Sequence, residues 1–377
     1  MDVAIVNLTG GGLSGGYVKY LRLLVPLLRA DARVRRLHLV MPRNAPSPSP
    51  PDVETIAWPA GDARTGYRKL RQHLGRLAPD VVFIPTARWL DCGPTPTVVM
   101  VRNMEPLTVP FGGNSPLEAG KNLVRAYAAR VACRRATRVL AVSRHVREFL
   151  TRRWRISPEK IGLVYHGIEA PLPPAAAVEP RAMTGRDPGR FAFAAGSIRP
   201  ARGLEELIRA LARLRERGST PGLVIAGEPD AGTGGYGRRM ARLAEAVGVA
   251  SQVVWAGRLT AAEMAWCFHR CAVFVTTSRA EACPNTALEA MSYGCQVVST
   301  RQPPMPEFFR DVGRYYGPGD AGELAVQIGH ALAATEEERR RREEIARAQA
   351  AGFRWDETAQ KTLEQLALAV GRQRARA

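Results

Sequence analysis

Residues 271–300 read CAVFVTTSRAEACPNTALEAMSYGCQVVST, and the fold follows from them. CAVFVTTS (271–278) is a short apolar, β-branched run that reads as a buried strand. RAEACPN interrupts it, because Pro284 cannot continue a ladder and Asn285 is a good N-cap. TALEAMSYG reads as a short helix closed at Gly294, and CQVVST as the next strand. Strand, loop, helix, strand is the unit of an α/β domain with a parallel sheet. Such sheets bind ligands at the carboxyl ends of their strands, where this loop must lie. The N–H groups of residues 283 to 286 open the helix, and a helix N-terminus attracts anions. Glu281 and Glu289 flank that opening. Carboxylates repel an anion, so the pair reads better as acceptors for hydroxyls on either side of it. Sugar, diphosphate and ribose in a row, a nucleotide sugar, meets that description. The competing reading makes Glu281 a plain loop residue and Glu289 a first-turn carboxylate favoured by the helix dipole.

The same alternation extends in both directions. Toward the N-terminus, MDVAIVNL, RRLHLVM, DVVFIP, PTVVMV, TRVLAVS and IGLVYHG read as strands, separated by helices such as YVKYLRLLVPLLR and LEAGKNLVRAYAARVACRRA. Residues 171–190, PLPPAAAVEPRAMTGRDPGR, lose all periodicity and read as a linker. A second series, FAFAAGS, GLVIAG, QVVWAG and the stretch above, follows with its own helices. Two doubly wound domains facing across a cleft are expected. Their bounds are 1–172, joined by a terminal helix at about 354–377, and 186–352.

The chain has 377 residues and 46% hydrophobic content, which suits two globular cores. No apolar run is long enough for a transmembrane helix, and the first residues read as a strand and not as a signal peptide. Six cysteines without a C-x-x-C fit a reducing cytoplasm. The net charge is +19, and residues 1–180 carry 26 Lys or Arg against 13 Asp or Glu. A basic half suggests a phosphate-bearing partner; the plainer account is an Arg-rich coding bias. Nucleic acid is not expected, since no recognised motif and no aromatic stacking series accompany the charge.

Three further loops fall at strand ends. TGGGLSGG places Gly10, Gly12 and Gly15 in a G-x-G-x-x-G spacing, but the second strand ends without the acid a dinucleotide site needs. The glycines still let backbone approach a ligand. AAGSIRPARGLEELIRAL (194–211) puts Arg199 and Arg202 between strand and helix, where their forks suit phosphate. VVMVRNMEP (98–106) ends a strand with Arg102 and Asn103, read either as cleft-facing groups or as a capped strand end.

With these residues in view, the chain resembles the retaining glycosyltransferases of family 4, which have the two-domain GT-B fold. Glu281 and Glu289 match the family's E-x(7)-E, GSIRPARGLEELIRAL its diphosphate loop, and VYHGIE the end of its first domain. FFRDVGRYYGPGDAGELA resembles the segment closing the donor domain, and FRWDETAQKTLEQL the final helix that crosses back. The resemblance implies a donor linked to UDP or GDP. Glu281 would hold the transferred sugar and Glu289 the ribose, while Cys283, Pro284, Asn285 and Thr286 would meet the phosphates or sugar. Gly15 and Gly16 would lie near the reacting sugar, Arg202 takes the family's Lys position, and Glu281, Arg202 and Asn103 carry the catalytic expectation. Two departures stand out. Ser197 occupies the position of the family's Arg, so Arg199 or Arg202 must supply that charge. Arg102 or Asn103, on the acceptor side, replaces a frequent His.

The expected reaction passes the sugar to an acceptor hydroxyl with retention, the diphosphate leaving as its charge is stabilised. No D-x-D occurs, so no metal or other cofactor is expected. The acceptor is read as a lipid-linked or polysaccharide precursor; a soluble small molecule, or a protein that binds a nucleotide sugar without turning it over, are the alternatives. Residues 118–155 hold eleven Lys or Arg, and two helices carry most of them: Lys121, Arg125, Arg130, Arg134 and Arg135 on one, Arg144, Arg147, Arg152, Arg153 and Arg155 on the other. Their basic faces could lie on an anionic membrane, giving a cytoplasmic protein or one held at the cytoplasmic face. The apolar stripes of both helices (Val124, Ala128 and Val131; Val146, Phe149, Leu150 and Trp154) are expected to pack on the sheet.

Overall fold

The computed structural model describes residues 1–9, 15–43, 53–58, 63–109, 113–185, 191–229 and 234–374. Gly10 and Gly12 of the glycine-rich loop lie outside them, as do residues 186–190 of the expected linker. By contacts, the chain separates into two compact units. The first comprises Met1–Leu107, Gly120–Gly167 and Phe353–Ala377; the second comprises Thr108–Ala119 and Ile168–Gly352.

The first unit carries β1 (Asp2–Val6), β2 (Arg36–Pro42), β3 (Glu54–Trp58), β4 (Val81–Ile84), β5 (Thr97–Val101), β6 (Arg138–Ala141) and β7 (Ile161–Leu163). They form one parallel sheet in the order β3-β2-β1-β4-β5-β6-β7. Every residue of β1, β4, β5 and β6 is buried. Continuous apolar runs of this kind belong to strands covered by helices on both faces. The helix Trp355–Arg374 closes this unit. It donates from Thr358 Oγ1 to the Tyr165 carbonyl at 2.8 Å, and its Gln365 occupies the space a side chain at Gly162 would need.

The second unit carries β8 (Phe191–Ala195), β9 (Gly222–Ala226), β10 (Val253–Gly257), β11 (Val273–Thr276), β12 (Val297–Thr300) and β13 (Gly313–Tyr316). Their order is β10-β9-β8-β11-β12-β13, again parallel. The helices Leu204–Glu216 and Ala321–Ala333 cover one face and bury Leu207, Ile208, Leu211, Leu324 and Ile328. Two strands escape the sequence reading. β3 is a half-exposed edge of five residues, and β13 has only one fully buried residue, so neither shows an apolar run.

Candidate active site

In the second sheet β8 and β11 are neighbours, yet β8 continues to β9 on its other side. The chain changes direction between them, and a crevice opens at the carboxyl ends of such a strand pair. A cavity lies there, lined by Ala195, Gly196, Ser197 and Arg202 from the loop after β8 and by Thr277 and Ser278 after β11.

Arg202 dominates it. The short turn Pro200–Arg202 precedes Gly203, whose left-handed φ of 63° leads the chain into the helix Leu204–Glu216. A Cβ at Gly203 would lie 2.5 Å from the Thr277 carbonyl oxygen. Only a glycine admits both that φ and that approach. The Thr277 hydroxyl donates to the Arg202 carbonyl at 2.6 Å, fastening the two loops together. The Arg202 side chain folds back over Gly196. Its Nη1 donates to Ser278 Oγ at 2.9 Å and forms an ion pair with Glu281. Both partners are largely shielded, at 25% and 15% side-chain exposure, so the pair is less screened than a surface one. The buried Arg202 Nε has no partner among the described residues.

A second layer holds this loop, and sequence reasoning missed it. Arg279 lies 3.2 Å from Glu205 Oε1 and 3.5 Å from Glu206 Oε1, and its backbone N–H donates to the Ala201 carbonyl. Tyr316 donates to Glu206 at 2.9 Å. The Tyr236 hydroxyl donates to Glu205 and accepts from the Leu204 N–H at 2.9 Å. Burial works against the Arg279 charge, but Glu205, Glu206 and Tyr236 more than offset it and raise its pKa. Burial first, and then the glutamates, also push up both tyrosine phenols. The network thus joins Glu205 and Glu206 to one guanidinium and two neutral phenols, and it pins the loop that presents Arg202.

The helix that follows β11 runs Asn285–Ser292. Asn285 is its first residue and Pro284 the N-cap, which supplies no side-chain bond; the expected Asn285 cap is thus displaced by one position. The expected row of amide donors is thinner too. Pro284 has no N–H, and Asn285 donates its own to the Cys283 carbonyl at 2.9 Å. Cys283 Sγ turns to Asn285 Oδ1 at 3.0 Å, and Thr286 lies half-buried beside them. Glu289 is half-buried in the middle of the helix, past the first turn that the dipole reading of this carboxylate assumed. Arg199 stands at the start of the 200–202 turn.

In the first unit, Gly15 and Gly16 begin the helix Gly15–Ala30. A Cβ at Gly16 would lie 3.9 Å from Arg102 Nη2. The Arg102 guanidinium sits over the rings of Tyr17 and Tyr20, 4.9 and 5.3 Å from their centroids, within cation–π range. Both tyrosines are buried. Asn103 is exposed, and its Oδ1 accepts from the Glu105 N–H at 3.0 Å. This bond ties the end of β5 to the short helix Glu105–Thr108.

Two family models match the chain, in order. Glycosyltransferase Family 4 matches residues 15–170, and Glycosyl transferases group 1 matches residues 181–349. The chain belongs to glycosyltransferase family 4. This family 4 chain is 28% identical over 221 residues to an MMP α-(1→4)-mannosyltransferase of Mycolicibacterium hassiacum, a match over 58% of this chain and 50% of that protein. It thus spans about half the length of the curated relative it matches. Among solved structures, sucrose-phosphate synthase from Thermosynechococcus elongatus superposes with a TM-score of 0.76 at 17% identity, covering 97% of this chain and 98% of that one. HepE of Anabaena, solved in complex with UDP, gives 0.74 at 18% identity, covering 97% and 100%. The fold is GT-B.

One expectation from the apolar periodicity of the helices is overturned. In the helix Pro116–Arg135, Val124 is 69% and Tyr127 72% exposed, Leu117 and Leu123 are also exposed, and Ala128 is open. The stripe through Val124 and Ala128 does not pack on the sheet. The packed side is made instead of Asn122, Ala129, Ala132 and Cys133, small groups that let the helix approach closely. The other stripe behaves as expected, with Val146, Leu150 and Trp154 buried. Among the described residues, no helix is long and apolar enough to cross a membrane.

Proposed function

We propose that the chain transfers a sugar from a nucleoside diphosphate sugar to an acceptor hydroxyl, with retention of configuration. The observation that carries this is the pairing of Arg202 with Glu281 beside Ser197 and Ser278, at the switch point of the second sheet. Residues 186–352 would bind the donor, and residues 1–172 with 354–377 the acceptor. On donor binding, Arg202 and Arg199 would meet the diphosphate and supply the charge that Ser197 lacks. Glu281 would accept from hydroxyls of the transferred sugar and Glu289 from the ribose. Cys283, Pro284, Asn285 and Thr286 would close around the phosphates and sugar, with Gly15 and Gly16 near the reacting carbon. The developing charge on the leaving diphosphate would fall on groups already fixed in place, so little reorganisation accompanies bond breaking. That phosphate could take the acceptor's proton on the same face, which gives retention without an enzymic nucleophile. Arg102 and Asn103 would address the acceptor. No metal is needed in this scheme, because the arginines meet the diphosphate. UDP is the first donor to test, since HepE is solved with UDP and with UDP-glucose; GDP follows, as a mannosyltransferase is among the relatives.

The exposed stripe at Val124 and Tyr127, flanked by Lys121, Arg125 and Arg130, favours a lipid-linked acceptor reached at an anionic membrane on the cytoplasmic side. An interfacial helix combines an apolar strip with cations in this way. A soluble acceptor is the second reading. Incubation with UDP- and GDP-sugars, following nucleoside diphosphate release and the anomer first formed, tests the proposal. Binding without release from any of them would make this a nucleotide-sugar-binding protein, and inverted product would refute retention.

A further inference from the structure

A cavity of about 460 Å³ opens at the amino ends of β5, β6 and β7 in the first unit. This is the sheet edge opposite the one that carries Arg102. Its size falls within the ~300–1,000 Å³ typical of small-molecule sites. Arg134, Arg135, Lys160 and Arg372 line it, and among the described residues no Asp or Glu does. Arg138 lies beneath, 5% exposed. Among the described residues its guanidinium bonds neutral acceptors, Gln365 Oε1 and the Glu159 carbonyl, each at 2.9 Å. Arg372 donates to the same Glu159 carbonyl at 2.9 Å, and Lys160 to the Arg134 carbonyl at 2.6 Å. The Glu159 carboxylate itself accepts from Ser157. The Ser157 bond first, and then the Arg372 charge, hold the Glu159 carboxyl below the usual carboxylate range, against burial. Burial first, and then the charge of Arg372, lower the pKa of Arg138, as a neighbouring cation does.

Like charges gathered this closely repel one another. A ligand with several negative charges reverses the sign of every one of those interactions, and guanidinium forks match phosphate oxygens. Trp89 and Pro94 add an apolar wall. We propose that this cavity binds a multiply charged, phosphate-bearing anion, at a site in a different unit from the donor loops.

Calorimetric titration with inorganic pyrophosphate tests this. Pyrophosphate can also meet the donor loops, so Arg202→Ala is titrated alongside. The binding component that survives in Arg202→Ala should weaken at least about tenfold in Arg134→Gln/Arg135→Gln, the scale of one lost charge-assisted bond. Arg340→Gln/Arg341→Gln, equally exposed arginines elsewhere, should leave it within about twofold. Arg134 and Arg135 are exposed, and an unchanged unfolding midpoint checks that their variant folds. Wild-type affinity in Arg134→Gln/Arg135→Gln, or an equal loss in the control pair, overturns the proposal. Vesicles with and without phosphatidic acid identify the source of the phosphate. Pelleting that pyrophosphate displaces makes the ligand a lipid headgroup; pyrophosphate binding without such pelleting makes it a soluble phosphate compound.

Discussion

Gly203→Ala should damage the donor loop for two separable reasons. The first is backbone strain. Gly203 has a φ of 63°, and an L-residue in the left-handed region costs about 1–2 kcal/mol. The second is collision. The new Cβ would stand 2.5 Å from the Thr277 carbonyl oxygen, which is backbone at the end of β11 and cannot rotate away. Thr277 is also tied to the Arg202 carbonyl through its hydroxyl at 2.6 Å, so the two loops must separate together. Overpacking of this kind adds about 1–3 kcal/mol. Gly218→Ala isolates the second effect, because Gly218 has a φ of 80° and nothing within 4 Å of an added Cβ. Both variants pay the strain and only Gly203→Ala pays for the collision. Followed by circular dichroism, Gly203→Ala should unfold roughly 2–12 °C below Gly218→Ala, from ~2–4 °C per kcal/mol in a unit of this size. Its nucleoside diphosphate affinity should fall as well, since moving Thr277 also moves Ser278 away from Arg202. Equal midpoints for the two variants would refute the close approach of the loops, and unchanged nucleotide affinity would refute its bearing on Arg202.

Glu289→Ala should weaken UDP or GDP binding through loss of a charge-assisted bond of about 1.5–3 kcal/mol, whereas Glu281→Ala should spare it and lower turnover; calorimetry and donor hydrolysis tell these apart. Arg202→Ala should lose at least as much turnover as Arg199→Ala in the hydrolysis assay, because Arg202 lines the crevice and pairs with Glu281 there. Asp2 lies beside Arg35 and Arg36, whose hydrogen bonds hold its carboxyl well below the usual carboxylate range. A depressed folded pKa stabilises above the unfolded value of ~3.9 and is lost as pH falls toward the folded one; Asp2→Asn should thus be less stable than wild type near neutrality, and the gap should close in acid-titrated melts. Val124→Asp/Tyr127→Asp should abolish sedimentation with anionic vesicles while leaving the unfolding midpoint within about 1 °C, as exposed substitutions do.

Local pattern alone determined the alternation of strand and helix and the break near residue 171. It also placed Glu281, Arg202 and Ser197 on strand-end loops, because apolar period, glycine and proline act within a few residues. The edge strand Glu54–Trp58 left no such signature, since three of its five residues face solvent and need not be apolar. What lay beyond local pattern was partnership. Arg279 stands two residues from Glu281, yet its partners Glu205 and Glu206 are more than seventy positions away, and only folding joins them. Arg202 was legible as a basic loop residue, but its bond to Glu281 depends on two loops meeting at the switch point. The helix Pro116–Arg135 shows the limit most clearly. Periodicity reveals that a helix has an apolar stripe, but not what covers it. Here the small residues opposite fit the core more closely, and Val124 and Tyr127 were left outside.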